Sequence, residues 1–308
     1  MIELATPNTG RLRTLAASQE SAPVSKTRIR RRRLPLLTIV CATWIIGLVL
    51  AAIFAPELAP HDPLKQNLMA RNVPPVWSSG GSWDHPFGTD QIGYDIFSRT
   101  LYGARPALQI AGIAALLSLA IGTTMGLIAG YFRGAADAVI MLLVDAQLST
   151  PFIVIAIAAV AAFGRSMTLL IILAGISGWM GFARTIRAQV LSLRDREFIH
   201  ASHAIGATDF RILLKHLLPN LTSIIIVLVT VQLRGLILFE ASMSFLGLGV
   251  PPPNPSWGSM ISNGRDYMLS AWWISVIPGV ALMVTVLTAS LIGDWLRDEL
   301  DPTLRGIR

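Results

Sequence analysis

Apolar and polar positions in this chain are gathered into blocks instead of alternating. Six apolar runs, near residues 36–55, 107–130, 138–163, 169–187, 221–245 and 273–295, are each long enough to cross a hydrocarbon core, which takes about 20 helical residues. A helix pairs its own backbone groups, so it is the natural solution for such runs in lipid. The pattern predicts an all-α integral membrane protein with six transmembrane helices. Two polar interruptions stand out. One, from Pro56 to Arg105, is dense in turn formers: Pro56, Pro60, Pro63, Pro74, Pro75, Gly80, Gly81, Pro86 and Gly88. Within it Thr89-Asp90 reads as a helix N-terminus, and Tyr94, Phe97 and Leu101 follow at helical spacing. The other interruption, between the fourth and fifth runs, is short, basic and itself helical in pattern.

That second insert runs from Glu197 to Pro219. Asp195 to His203 suits one short helix, Gly206 supplies a break, and Thr208-Asp209 suits the start of a second helix. Phe210, Leu213, Leu214 and Leu217 fall at i, i+3, i+4 and i+7, which predicts one apolar stripe. Such a helix–Gly–helix buries one face on its own bundle and presents its turn as a knob. The alternative is an amphipathic hairpin resting on lipid headgroups.

Composition agrees with the blocks. Of 308 residues 53% are hydrophobic and 14% charged, against about 25% charged in soluble domains. The net charge of +7 would suit nucleic acid in a soluble protein. Here the basic residues sit at the ends of apolar runs, which argues for membrane orientation and against nucleic-acid binding. Arg28 and Arg30 to Arg33 precede the first run, Arg184, Arg187, Arg194, Arg196, Arg211 and Lys215 surround the fourth-to-fifth connection, and Arg297, Arg305 and Arg308 follow the sixth. With six spans all three clusters fall on one side, so both termini are expected in the cytoplasm. Residues 1–33 read as a disordered basic tail, 34–106 as the first span with an outer segment, 107–296 as a five-helix core with a cytoplasmic loop over 188–219, and 297–308 as a second tail. The first run exceeds the usual core of a cleaved signal peptide. Cys41 is the single cysteine, which excludes a disulfide framework or thiol metal site. No metal site is expected.

Ionisable residues inside apolar runs are costly, by roughly 2.5–3.5 kcal/mol on insertion scales, and usually face a cavity or partner. Asp145, Arg234 and Glu240 are accordingly candidates for a polar pathway, with ion pairing across helices as the alternative. Gly122, Gly126, Gly130 and Gly134 form a small-residue ladder suited to close helix approach. On the outer side, 88–105 and the proline-stiffened 251–266 are candidates to receive an external protein, with Asp90, Asp95, Trp257 and Tyr267 near the contact. The alternatives are a membrane-surface brace and a seal over the outer mouth.

Three segments together resemble the C-type permease subunit of dipeptide/oligopeptide ATP-binding-cassette importers. The first is His85-Pro86-Phe87-Gly88-Thr89-Asp90, running on to Ser98-Arg99 and Tyr102-Gly103-Ala104-Arg105. The second is the helical insert. The third begins at Ser244-Phe245-Leu246-Gly247-Leu248-Gly249, includes Pro255-Ser256-Trp257-Gly258, and closes at Gly293-Asp294-Trp295. The resemblance covers roughly residues 34–305 and implies the type I importer permease fold in a bacterial inner membrane. It implies half of a translocation pathway, a homologous B-type permease for the other half, two ATP-binding-cassette ATPase subunits and an extracytoplasmic solute-binding protein. Cargo is implied to be di- or oligopeptides, with nickel or glutathione importers sharing the motifs. The insert becomes the ATPase-coupling loop, with Glu197, Ala201, Ala204, Gly206, Ala207, Asp209, Leu218 and Pro219 as its residues. The family's Glu-Ala-Ala is His200-Ala201-Ser202 here. Leu142 stands where relatives often carry Arg, and Arg234 where they usually carry a small residue.

The chain lacks a G-x-x-x-x-G-K-[ST] loop, so ATP and Mg are expected on partner subunits and no cofactor or catalytic residue in this chain. Gly175-Ile176-Ser177-Gly178 matches the G-x-S-G of intramembrane serine proteases. That chemistry needs a histidine base within the membrane, and His61, His85, His200, His203 and His216 all fall outside the apolar runs. A stand-alone secondary transporter or channel gives no reason for the helical insert.

Overall fold

The computed structural model describes residues 36–300; both expected tails, over 1–33 and for the most part over 297–308, lie outside the described residues. The long helices are α1 (Leu36–Ile53), α2 (Ile96–Phe132), α3 (Gly134–Leu148), α4 (Phe152–Phe163), α5 (Met167–Arg194), α8 (Thr222–Phe245) and α10 (Trp273–Leu300). Shorter helices are α6 (Glu197–Ala204), α7 (Asp209–Ile212) and α9 (Trp257–Gly264). Five helices are each long and apolar enough to cross a membrane, and α3 with α4 makes a sixth span bent by 82°. The third run, expected as one helix over 138–163, is therefore broken. Ser149, Thr150 and Pro151 sit at the break, where a proline removes a backbone donor and clashes with the preceding turn.

The centre of the bundle is the crossing of α2 with α5. A Cβ on Gly122 would lie 2.4 Å from the Trp179 carbonyl oxygen, one on Gly126 2.7 Å from that of Ala183, and one on Gly130 2.9 Å from that of Arg187. Bare backbones meet over three successive helical turns, and Ser118 Oγ donates to the Gly175 carbonyl at 2.7 Å one turn further out. Close approach of this kind maximises dispersion contact where the hydrophobic effect gives helices no reason to associate. Gly134, the fourth member of the ladder, instead starts α3 at φ +55° with open space around it. Around the crossing, Ile110, Ala114, Leu170, Ala174, Leu236 and Met243 form one core, and α8 and α10 lie against it.

The outer segment differs most from its expected form. Thr89-Asp90 does not start a helix. Asp95 does, its carboxylate accepting from Ser98 N at 2.8 Å, and α2 then runs unbroken for 37 residues through Pro106. The surface helix and the second span are thus one helix. Thr89 is tied instead to the loop before it: its hydroxyl donates to the Ala70 carbonyl at 2.5 Å and accepts from Val73 N at 2.9 Å. Trp273 Nε1 donates to the Thr89 carbonyl, and Arg105 donates to the carbonyls of Ala52 and Ile53 at the end of α1. Polar loop, α1, α2 and α10 are stitched into one outer module.

The crossing makes a direct prediction. Gly122→Ala forces a methyl against the Trp179 carbonyl and should cost about 1–3 kcal/mol, lowering the thermal unfolding midpoint of the purified protein. Gly112→Ala, in the same helix with nothing within 4 Å of its Cβ, should leave that midpoint unchanged or raise it.

Candidate functional site: the coupling loop

Helix α6 ends in a Schellman motif: Ala207 N donates to the Ser202 carbonyl at 3.0 Å, and Gly206 N to that of His203 at 2.9 Å. The residue at that corner needs a left-handed backbone, and Gly206 has φ +82° with nothing within 4 Å of its Cβ position. Thr208 occupies the N-cap position of α7, though its side chain makes no capping bond. The expected stripe does not form. Residues 213–217 take a π-helical turn, whose wider i→i+5 spacing brings Ile212 and Leu217 inward together, both 0% exposed. Leu213 is half-buried, while Phe210 and Leu214 are turned outward. With Ile205, 86% exposed, and Phe210, 71% exposed, the knob carries an apolar tip around Gly206.

Two layers hold the knob to the bundle. Ile199, Ile212, Leu217 and Leu221 pack on Leu127, Tyr131, Ile186 and Val190 of α2 and α5. Above them Tyr131, in the last turn of α2, bridges both arms of the loop. Its hydroxyl donates to Asp209 Oδ1 at 2.7 Å and lies 3.2 Å from His203 Nε2. Arg194 closes the network by donating to the Tyr131 carbonyl, and Arg187 grips Asp137 with its Nε and a terminal guanidinium nitrogen, joining α5 to α3. Tyr131 was not legible as a functional residue, because nothing in its local pattern says that two loop arms converge on it.

The other loop residues fall as follows. Glu197, Ala201 and Ala204 are exposed along α6, Asp209 is exposed at its carboxylate's outer side, Ala207 and Leu218 are half-buried, and Pro219 is exposed where the chain turns into α8. Ser202, at a position the family gives to Ala, is buried and donates to the Phe198 carbonyl at 2.7 Å. It therefore fits without an unsatisfied group. His200 is exposed, so the missing glutamate leaves the packing untouched.

The expected pathway residues separate. Asp145 pairs with Arg184 at 2.6 Å, with the two side chains 65% and 55% exposed. An exposed ion pair within two spans faces water or another subunit, since lipid gives it no compensation. Arg234 donates to Ser290 Oγ at 2.7 Å, tying α8 to α10. Glu240 is 1% exposed and accepts from Ser244 Oγ at 2.6 Å. It sits buried at the corner at the end of α8. There Gly247 at φ +76° closes a second Schellman motif, with Gly247 N on the Ser244 carbonyl and Leu248 N on that of Met243.

Of the outer candidates, Asp90, Asp95 and Trp257 are buried within the chain. Asp90 Oδ1 accepts from Ile92 N and Tyr94 N; burial pushes its carboxyl above the ordinary range, against the pull of those N–H groups and of Arg99. Asp95 caps α2 and bonds His85. Trp257 Nε1 donates to the Thr100 carbonyl at 2.9 Å, a contact that Gly103 makes possible by leaving room for the indole. Tyr267 remains half-exposed beside Ile96, Met260 and Trp273.

The bundle thus carries, between α5 and α8, a rooted loop with an exposed apolar tip. Residues 122–306 match the family of binding-protein-dependent transport system inner membrane components, and residues 28–75 match the N-terminal transmembrane domain of oligopeptide transport permease C. The chain belongs to this family of inner-membrane permease subunits and is a transport subunit, not an enzyme. It is 38% identical over 307 residues to a putative peptide transport system permease protein of Brucella suis biovar 1 (strain 1330), covering 99% of each. It is 38% identical to the dipeptide transport system permease protein DppC of Bacillus subtilis (strain 168), covering 85% of this chain and 80% of that one. A glutathione transport system permease protein, GsiD, of Escherichia coli O6:K15:H31 (strain 536 / UPEC) is 40% identical over 90% of both chains. An inward-facing structure of the MetNI methionine transporter superposes with TM-score 0.53 at 19% identity, covering 67% of this chain and 98% of that one. It shares the fold. Membership places the chain in the inner membrane as a multi-pass subunit working with ATPase partners.

Tyr131→Phe keeps the ring in its cluster and removes the two hydroxyl contacts. Losing them should cost about 1–1.5 kcal/mol locally. Hydrogen exchange over 197–220 should then be roughly tenfold faster, with α1, α8 and α10 unchanged; unaltered exchange in the loop would show that the apolar layer alone holds it.

Proposed function

We propose that this chain forms half of the translocation pathway of a peptide importer, with a homologous B-type permease supplying the other half. Two ATPase subunits carry the ATP and Mg and grip the knob at 204–209, and an extracytoplasmic solute-binding protein delivers the cargo. The observation that carries the reading is the exposed apolar tip, Ile205 and Phe210, beside an unobstructed Gly206 on a loop fixed firmly to α2 and α5. A soluble-facing tip of this kind is covered in a working complex. A hairpin lying on headgroups would not need Tyr131, Arg194 and Asp209 to set its angle. The exposed Asp145–Arg184 pair belongs at the boundary with the second permease or the pathway between them. Closure of the ATPases would rock the two permeases between outward and inward access as nearly rigid bodies.

Dipeptides and oligopeptides are the proposed cargo, because the relatives matched over most of their length carry peptide and dipeptide transport in their names. The glutathione permease relative supports a second reading that differs only in cargo. Glutathione is itself a small peptide, and selectivity exercised by a binding protein leaves the permease little changed. The outer module, with Tyr267 half-exposed, would be the receiving face.

Two variants test the knob. In a Cys41→Ser background, Ile205→Cys should be joined to an ATPase subunit by a short thiol–amine cross-linker. Gly206→Pro, which forces φ to about −65°, should still insert and assemble but hydrolyse ATP without importing peptide. Full transport by an assembled Gly206→Pro complex, or no cross-link from position 205, would refute the docking site.

A further inference from the structure

The outer module brings together three metal-ligating side chains that the membrane function does not use. His61 lies just after α1, and Asp84 and His85 lie in the turn before Gly88. One donor atom from each falls within 4.8 Å of the other two. The Asp84 carboxylate reaches both imidazoles, 3.6 Å from His61 Nε2 through one oxygen and 3.6 Å from His85 Nε2 through the other. The two rings lie close, tilted by 36° with centroids 4.5 Å apart.

The second layer is what distinguishes this cluster from a chance gathering of surface groups. His85 is buried, and its Nδ1 lies 3.0 Å from Asp95 Oδ1, a carboxylate itself 1% exposed at the side chain. Asp95 is fixed in turn by Ser98 N at the start of α2. A carboxylate that accepts a hydrogen bond from Nδ1–H holds the ring in one tautomer and leaves the Nε2 lone pair free to bind. This is the support that metal-bound histidines receive. His61 Nε2 is 2.7 Å from the Asp84 carbonyl oxygen, a bond that a metal at Nε2 would replace, with the proton moving to Nδ1.

We propose that His61 Nε2, His85 Nε2 and the Asp84 carboxylate bind one divalent transition-metal ion of the zinc class at the outer face. Two imidazoles and one carboxylate suit zinc, nickel or copper, whereas magnesium and calcium take oxygen donors. Metal–nitrogen distances of about 2.0–2.1 Å require the three donors to close by roughly an ångström. The side chain of Asp84 is 70% exposed, so that movement meets little resistance. One coordination position stays open to the outer medium. The ion staples the segment after α1 to the turn that leads into α2, in a region built almost wholly of turns. The two histidines are 24 positions apart, and no ligand spacing in the sequence marks them as a pair. The proposal is independent of the cargo and of the ATPase contact.

The test uses the assembled complex, purified on a tag without histidines, stripped with chelator and placed in nanodiscs. Cobalt(II) is titrated while its visible d–d bands are followed. The proposal expects one saturable equivalent displaced by zinc(II), weakened at least tenfold in His61→Ala and in Asp84→Ala. Zinc should also slow hydrogen exchange over 54–95 in the parent chain and not in His61→Ala. Asp84 is exposed and His61 half-buried, and co-purification of the partner subunits verifies that the variants assemble. Absence of a saturable cobalt site, or an equal site in either variant, would overturn the proposal.

Discussion

The contact on which the rest depends is the bare crossing of α2 and α5. Three glycines of α2 face three carbonyls of α5, at separations that no side chain tolerates. In lipid, packing of this closeness is the main attraction between helices. Because α2 runs from the outer module to Tyr131 and α5 from the core to Arg194, the crossing fixes both ends of the molecule at once. At one end Asp95 starts α2 from within the outer loops. At the other, Tyr131 and Val190 receive the coupling loop.

Force applied at the knob has a short route inward. Ile199, Ile212 and Leu217 press on Ile186, Val190 and Leu127, so the loop has no slack layer between itself and the crossing. The π-helical turn gives this arrangement its use. By turning Ile212 and Leu217 in together it leaves Phe210 and Leu214 outside, converting one stripe into a root and a tip. The bend between α3 and α4 breaks the third span, and the Asp145–Arg184 pair sits beside it. Under the proposed function the boundary with a second permease would lie there, away from the close-packed pair.

Much of the fold was legible because its signals are local. Apolar run length gave the spans, with the third broken by a bend. Gly206 announced its corner because a left-handed backbone strongly favours glycine. Where reading along the chain went astray, contacts far apart in sequence decided the outcome. Thr89-Asp90 has the composition of a helix start, yet Ala70, Val73 and Trp273 claim Thr89, and the start moves to Asp95. Phe210 and Leu214 obeyed a 3.6-residue period that the π-turn then cancelled. Glu240 looked like a pathway group because an acid in an apolar run is costly; in the fold it is buried at the corner after α8, where Ser244 Oγ donates to one of its carboxylate oxygens. Tyr131 had no sequence mark at all, since its role comes from His203 and Asp209, more than seventy positions away.

The central claim is that the knob and the α2–α5 pair move as one body. Spin labels at Ile205→Cys and Gly112→Cys in a Cys41→Ser chain, within the assembled transporter, measure it by pulsed electron–electron resonance. The account predicts one narrow distance distribution that is the same without nucleotide and with ATP trapped, while distances from position 205 to the opposite permease change. A distribution between 205 and 112 that shifts or splits with nucleotide would contradict rigid transmission and place the moving joint inside the coupling loop itself.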